Sequence, residues 1–217
     1  MTRYGLRQNS RSYPGDCRGI RDARSVIAVA YIDLGVDEAQ NPGITGLFTY
    51  RSDTGRLLAG LAEALLREHN TLGAGERELI AAYVSARNNC TFCTNSHAAF
   101  ASAQLDGGRS LTDAVLRDPA TAPISEKLRA LLVIAGAVQQ SGREVTADMI
   151  AAAREKGATD REIHDTVLIA AAFCMYNRYV DGLGTTAPAE PAAYVGRAES
   201  IIDNGYLPAA ARADAEH

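Results

Sequence analysis

Two cysteines and a histidine stand at helical spacing in the run Cys90-Thr91-Phe92-Cys93-Thr94-Asn95-Ser96-His97. On an α-helix, positions 90, 93 and 97 are separated by three and then four residues and share one face. Two thiols one turn apart can close a disulfide with little backbone movement. The first turn of a helix also offers unpaired N–H groups and the positive end of the dipole, and both stabilise a thiolate. By that dipole alone, Cys90 is the more acidic thiol. His97, one turn beyond Cys93, can take up or relay a proton.

A carboxylate joins the set by inference. Glu78 lies on the small-sided stripe of the preceding helix, with Ala82 and Ser85. If the two helices pack antiparallel, Glu78 sits well over a turn from the corner, so its use as a base requires helix crossing or a bridging water. The competing reading is a solvated surface carboxylate. For the thiols the alternative is metal: Cys90, Cys93 and His97 supply three ligands and Cys174 a possible fourth, as in Cys3His zinc sites. Zinc knuckles favour turns and paired clusters, whereas this trio opens a helix. Cys174 shares a stripe with Ile163, Val167 and Ala170 and reads as a core residue. Cys17 lies in a polar arm.

The elements that must position these groups are helical. Amphipathic or capped segments are expected over residues 54–69, 76–88, 90–105, 111–117, 124–140, 146–156, 160–180 and 193–203. Thr159 with Glu162 forms a capping box, Thr146 is an N-cap, and Asn41-Pro42-Gly43 marks a turn. Residues 25–36 read as a short buried helix or strand, and the tail after Tyr206 as frayed. The fold class is all-α, with a polar arm and short buried element over 1–40 and one helical domain over 41–217. Arg77-Glu78 precedes Cys90 at the spacing by which Arg161-Glu162 precedes Cys174, a hint of internal helical duplication.

Composition narrows the rest. The 217 residues are 47% hydrophobic and 22% charged, Trp is absent, and Ala is abundant, which favours close-packed helices. A formal net charge of -4 leaves no electrostatic footprint for nucleic acid. No apolar segment is long enough to span a bilayer and no signal-peptide core is visible, so a cytoplasmic location is expected. Four cysteines are too few for a disulfide scaffold at this length.

The run Glu76-Arg77-Glu78-Leu79-Ile80-Ala81-Ala82-Tyr83-Val84-Ser85, followed by Asn89 to His97, resembles the alkylhydroperoxidase D and carboxymuconolactone decarboxylase-like superfamily, most closely its peroxidase-related branch. Weaker resemblance extends from about Asn41 to Gly184, including Asn177-Arg178 and Asp181-Gly182-Leu183-Gly184. The resemblance implies a helical, homo-oligomeric enzyme without a cofactor, which reduces a hydroperoxide substrate and is reset by an external dithiol reductant. It implies that Cys93 is peroxidatic, that Cys90 resolves, and that Glu78 and His97 carry protons. The family's peroxidase pattern has a histidine immediately before its second cysteine, where this chain has Phe92. A lyase on the same fold is the alternative activity under that name, and a non-catalytic metal-stabilised protein is the alternative outside it.

Overall fold

The computed structural model describes residues 29–207. Nine α-helices occur among them: α1 (Ile44–Tyr50), α2 (Ser52–Leu66), α3 (Ala74–Arg87), α4 (Thr91–Gln104), α5 (Gly108–Arg117), α6 (Glu126–Gln140), α7 (Ala147–Glu155), α8 (Asp160–Gly182) and α9 (Val195–Asn204). Short 3-10 turns at Gly142–Glu144 and Pro191–Tyr194 connect the later helices, and no strand occurs among the described residues. The fold is all-α.

Helix α3 is the axis of the packing. Every residue from Arg77 to Ser85 is buried, and α4, α6 and α8 all pack on it. Leu79, Ile80 and Val84 meet Leu131 and Leu132 of α6 and Ile169 and Phe173 of α8 in one continuous core. Burying each such side chain contributes about 1.5–3 kcal/mol. A helix covered on all sides has no solvent face, so the small stripe carrying Glu78 becomes a packing surface. No helix among the described residues is long and apolar enough to cross a membrane.

Capping signals hold to the residue. The Thr159 hydroxyl accepts from the Glu162 N–H at 3.2 Å, and the Glu162 carboxylate accepts from the Thr159 N–H at 2.8 Å. Thr146 caps α7. Residues 29–36 depart from expectation by being neither helix nor strand. Ala30 and Leu34 tuck against Leu47 of the unforeseen α1, and the Glu38 carboxylate accepts the Ala30 N–H at 2.9 Å. Side-chain burial and a carboxylate anchor replace repeating backbone bonds there. Residues 25–28 of that segment, Cys17 and the chain from residue 208 lie outside the described residues.

The two halves of the suggested duplication occupy different settings. A corner separates Glu78 from Cys90, which caps α4, whereas Glu162 and Cys174 lie in the unbroken α8. Glu162 is held by its capping box and by Lys127 at 2.8 Å.

Gly43 fixes the approach of α1 to α4. Its φ is +59°, and a Cβ there would stand 2.3 Å from ring carbons of Phe92. Gly43→Ala is therefore expected to lose ~2–4 kcal/mol of stability through backbone strain and overpacking. Urea denaturation measures the loss, and an unchanged midpoint would contradict it.

Candidate active site

The corner between α3 and α4 sets the thiols. Asn89 adopts φ +59°, a left-handed turn that Asn tolerates better than most residues. The Cys90 N–H then bonds back to the Ser85 carbonyl at 3.1 Å, and Cys90 becomes the N-cap of α4. Polar side chains clamp this corner to the bundle. The Asn88 amide donates to Asn177 Oδ1 at 2.8 Å, and Asn177 Nδ2 donates to the Ser85 hydroxyl at 3.0 Å. Gln139 of α6 donates to Asn88 Oδ1 at 2.8 Å. Cys93 falls in the first turn of α4, so both sulfurs sit at its positive end.

Deeper along α4, the acid and the imidazole meet directly. His97 Nδ1 lies 2.6 Å from Glu78 Oε2, and Glu78 is 0% exposed. The sequence left open a bridging water or a solvated carboxylate; the contact is direct because the acid reaches His97 rather than the cysteines nearer the corner. A proton lies between Nδ1 and Oε2 whichever atom holds it, which leaves Nε2 turned from the carboxylate. Phe173 and Phe100 pack edge-on to the imidazole, at centroid distances of 4.5 and 5.2 Å.

A third member of this network had no signal in the motif. The Tyr206 hydroxyl donates to Glu78 Oε1 at 2.7 Å and lies 3.5 Å from His97 Nδ1. Burial, and then the charge of Glu78, push its phenol well above the usual range, so it remains a donor at neutral pH. Its placement comes from the end of α9. Gly205 turns the chain at φ +67°, Glu63 of α2 accepts the Tyr206 N–H, and Arg67 donates to the Ile202 carbonyl at 2.8 Å. The available clue was an aromatic residue following a glycine stop in an Ala-rich stretch.

Cys93, Ser96 and His97 open onto a cavity of about 60 Å³. That volume exceeds what one water needs. Ile44, Phe48, Phe92 and Phe173 give it apolar walls, and Arg197 and Tyr206 add polar groups. Cys90 is fully buried and contributes nothing to the lining. Hydrogen bonding to Cys93, and then burial, push the Cys90 thiol well above its ordinary range. The dipole argument favoured Cys90 as the more acidic thiol; desolvation and the neighbouring sulfur outweigh it. Phe92, at the position where the family pattern has histidine, packs on Gly43 and on Tyr194 (ring centroids 6.0 Å apart) and forms part of the wall.

Cys174 stands apart from this group. It is half-buried, accepts from Asn88 Nδ2 at 3.5 Å and faces the Gln139 carbonyl at 3.9 Å. Among the described residues, no cluster of three His, Cys, Asp or Glu side chains is arranged to hold a metal ion.

The profile of the carboxymuconolactone decarboxylase family matches residues 52–105, which span α2 to α4. A solved structure described as an alkylhydroperoxidase AhpD core, an uncharacterized peroxidase-related protein from Ralstonia eutropha JMP134, is 29% identical with a TM-score of 0.64. That match covers 69% of this chain and 78% of the other. An uncharacterized peroxidase-related protein from Silicibacter sp. TM1040 shares the fold at 23% identity and a TM-score of 0.65, covering 82% of this chain and 98% of its own. No curated protein matches the chain.

Proposed function

We propose that the chain is a member of the alkylhydroperoxidase D and carboxymuconolactone decarboxylase-like superfamily, which its match over residues 52–105 and its fold support, and that it is a thiol-dependent hydroperoxide reductase. The observation that carries the reading is the division of the two cysteines: Cys93 opens onto the cavity beside His97, while Cys90 is fully buried and takes no part in the lining.

In this mechanism His97 Nε2 takes the Cys93 proton, with Glu78 stabilising the imidazolium. The Cys93 thiolate attacks the terminal oxygen of the hydroperoxide, an S–O bond forms as the O–O bond breaks, and Cys93 becomes a sulfenic acid. The departing alkoxide takes the proton held by His97 and becomes the alcohol. Cys90 then loses its proton and attacks Cys93 sulfur, forming the S–S bond and releasing water. An external dithiol returns two electrons and two protons. The hydroperoxide, the dithiol and assembly into a homo-oligomer belong to the proposal.

Mass spectrometry after one equivalent of tert-butyl hydroperoxide tests it: a Cys90–Cys93 disulfide should form, with a loss of two hydrogens. A second reading rests on the hydrogen-bonded set of Glu78, His97 and Tyr206, which is complete without sulfur and would serve a decarboxylase-like lyase. Both thiols intact after peroxide would favour that reading over the first.

A further inference from the structure

Three buried polar side-chain atoms lack a hydrogen-bond partner among the described residues: Arg77 Nε, Ser96 Oγ and Thr166 Oγ1. Of these residues only Ser96 lines the cavity shared by Cys93 and His97, and it is 3% exposed. A helical serine has an easy alternative, because its hydroxyl can turn back onto the carbonyl four residues earlier. Its neighbours on α4 take that alternative: Thr94 bonds to the Cys90 carbonyl at 2.8 Å and Ser102 to the Ala98 carbonyl at 2.6 Å. Ser96 does not. An unpaired buried hydroxyl costs stability, so its presence at a cavity wall calls for a partner beyond the described residues, such as a molecule bound in the cavity.

We infer that Ser96 is a substrate-contacting residue whose hydroxyl donates a hydrogen bond to the oxygen that leaves. The inference rests on the peroxidase reading above. Ser96 follows Cys93 by three residues and precedes His97 by one, so all three fall on the same side of α4. When the Cys93 thiolate bonds to the terminal oxygen, the O–O electron pair moves to the oxygen attached to carbon. That oxygen becomes an alkoxide inside a largely apolar cavity, where a fixed donor stabilises charge more than water does. Ser96 Oγ–H supplies the donor, keeps its own proton, and holds the alkoxide until the proton on His97 arrives. The ground-state hydroperoxide carries no such charge, so the bond strengthens in the transition state.

The test separates this role from a packing role. Ser96→Ala removes an unpaired hydroxyl and inserts a better helix former, so the protein should fold with equal or greater stability. Its single-turnover reaction with tert-butyl hydroperoxide, which expels a basic alkoxide, should slow by about 100-fold. Reaction with peracetic acid, which expels a stable carboxylate, should slow by only a few-fold, and alkylation of Cys93 by iodoacetamide should keep its rate. Equal slowing with both oxidants would overturn the inference in favour of a structural role, as would no slowing with either. Wild-type protein inert to both oxidants would remove the peroxidase reading itself, an outcome distinct from either of these.

Discussion

Cys93→Ser is expected to abolish reaction with peroxide, while Cys90→Ser reduces it to a single stoichiometric event that ends in a sulfenic acid on Cys93. The contrast follows from accessibility. Cys93 meets the cavity and Cys90 does not, so only one sulfur can reach an incoming oxygen. Without Cys90 no second thiol among the described residues is positioned to expel water from the sulfenic acid, because Cys174 is engaged with Asn88 and Gln139. Dimedone trapping followed by mass spectrometry reads both variants. An adduct in Cys93→Ser, or sustained turnover by Cys90→Ser, would reverse the assigned roles.

The second large effect is expected from Glu78→Gln. The amide matches the carboxylate in size and can still accept from Tyr206, so stability should change by no more than ~1–2 kcal/mol. Its NH2 group, however, would face His97 Nδ1 where a carboxylate oxygen now stands. Nδ1 must then accept, the ring proton moves to Nε2, and Nε2 can no longer take the proton of Cys93. The rate of sulfenic acid formation should fall on the order of 10²–10⁴-fold. A variant with wild-type rates at neutral pH would separate Glu78 from the chemistry.

Much of this arrangement could be read from the chain before its fold was known. The spacing of Cys90, Cys93 and His97 is local information, because one helix fixes their relative positions. Caps such as Thr159 with Glu162 are local too, and their boundaries agree with the structure to within a residue or two. Contacts made across the bundle were less legible. Glu78 was inferred from its stripe on the preceding helix, yet its meeting with His97 depends on how α3 and α4 cross. Tyr206 was invisible because its position is set by Glu63, Gly205 and the packing of α9 on α4, none of which leaves a periodic trace. The fate of residues 29–36 was similarly undetermined, since a short apolar run specifies burial without specifying which backbone form delivers it. Ser96 was in plain view within the motif, but its distinction lies in a bond that it does not make.

The descent of Tyr206 from the far end of α9 bears on how the protein comes into being. A ribosome releases both sulfurs, the acid and the imidazole long before it releases the phenol that steadies them. Until α9 emerges and seats itself, one oxygen of Glu78 lacks its donor and the cavity lacks the part of its wall that Arg197 and Tyr206 supply. Synthesis therefore delivers the reactive parts first and the part that completes their setting last.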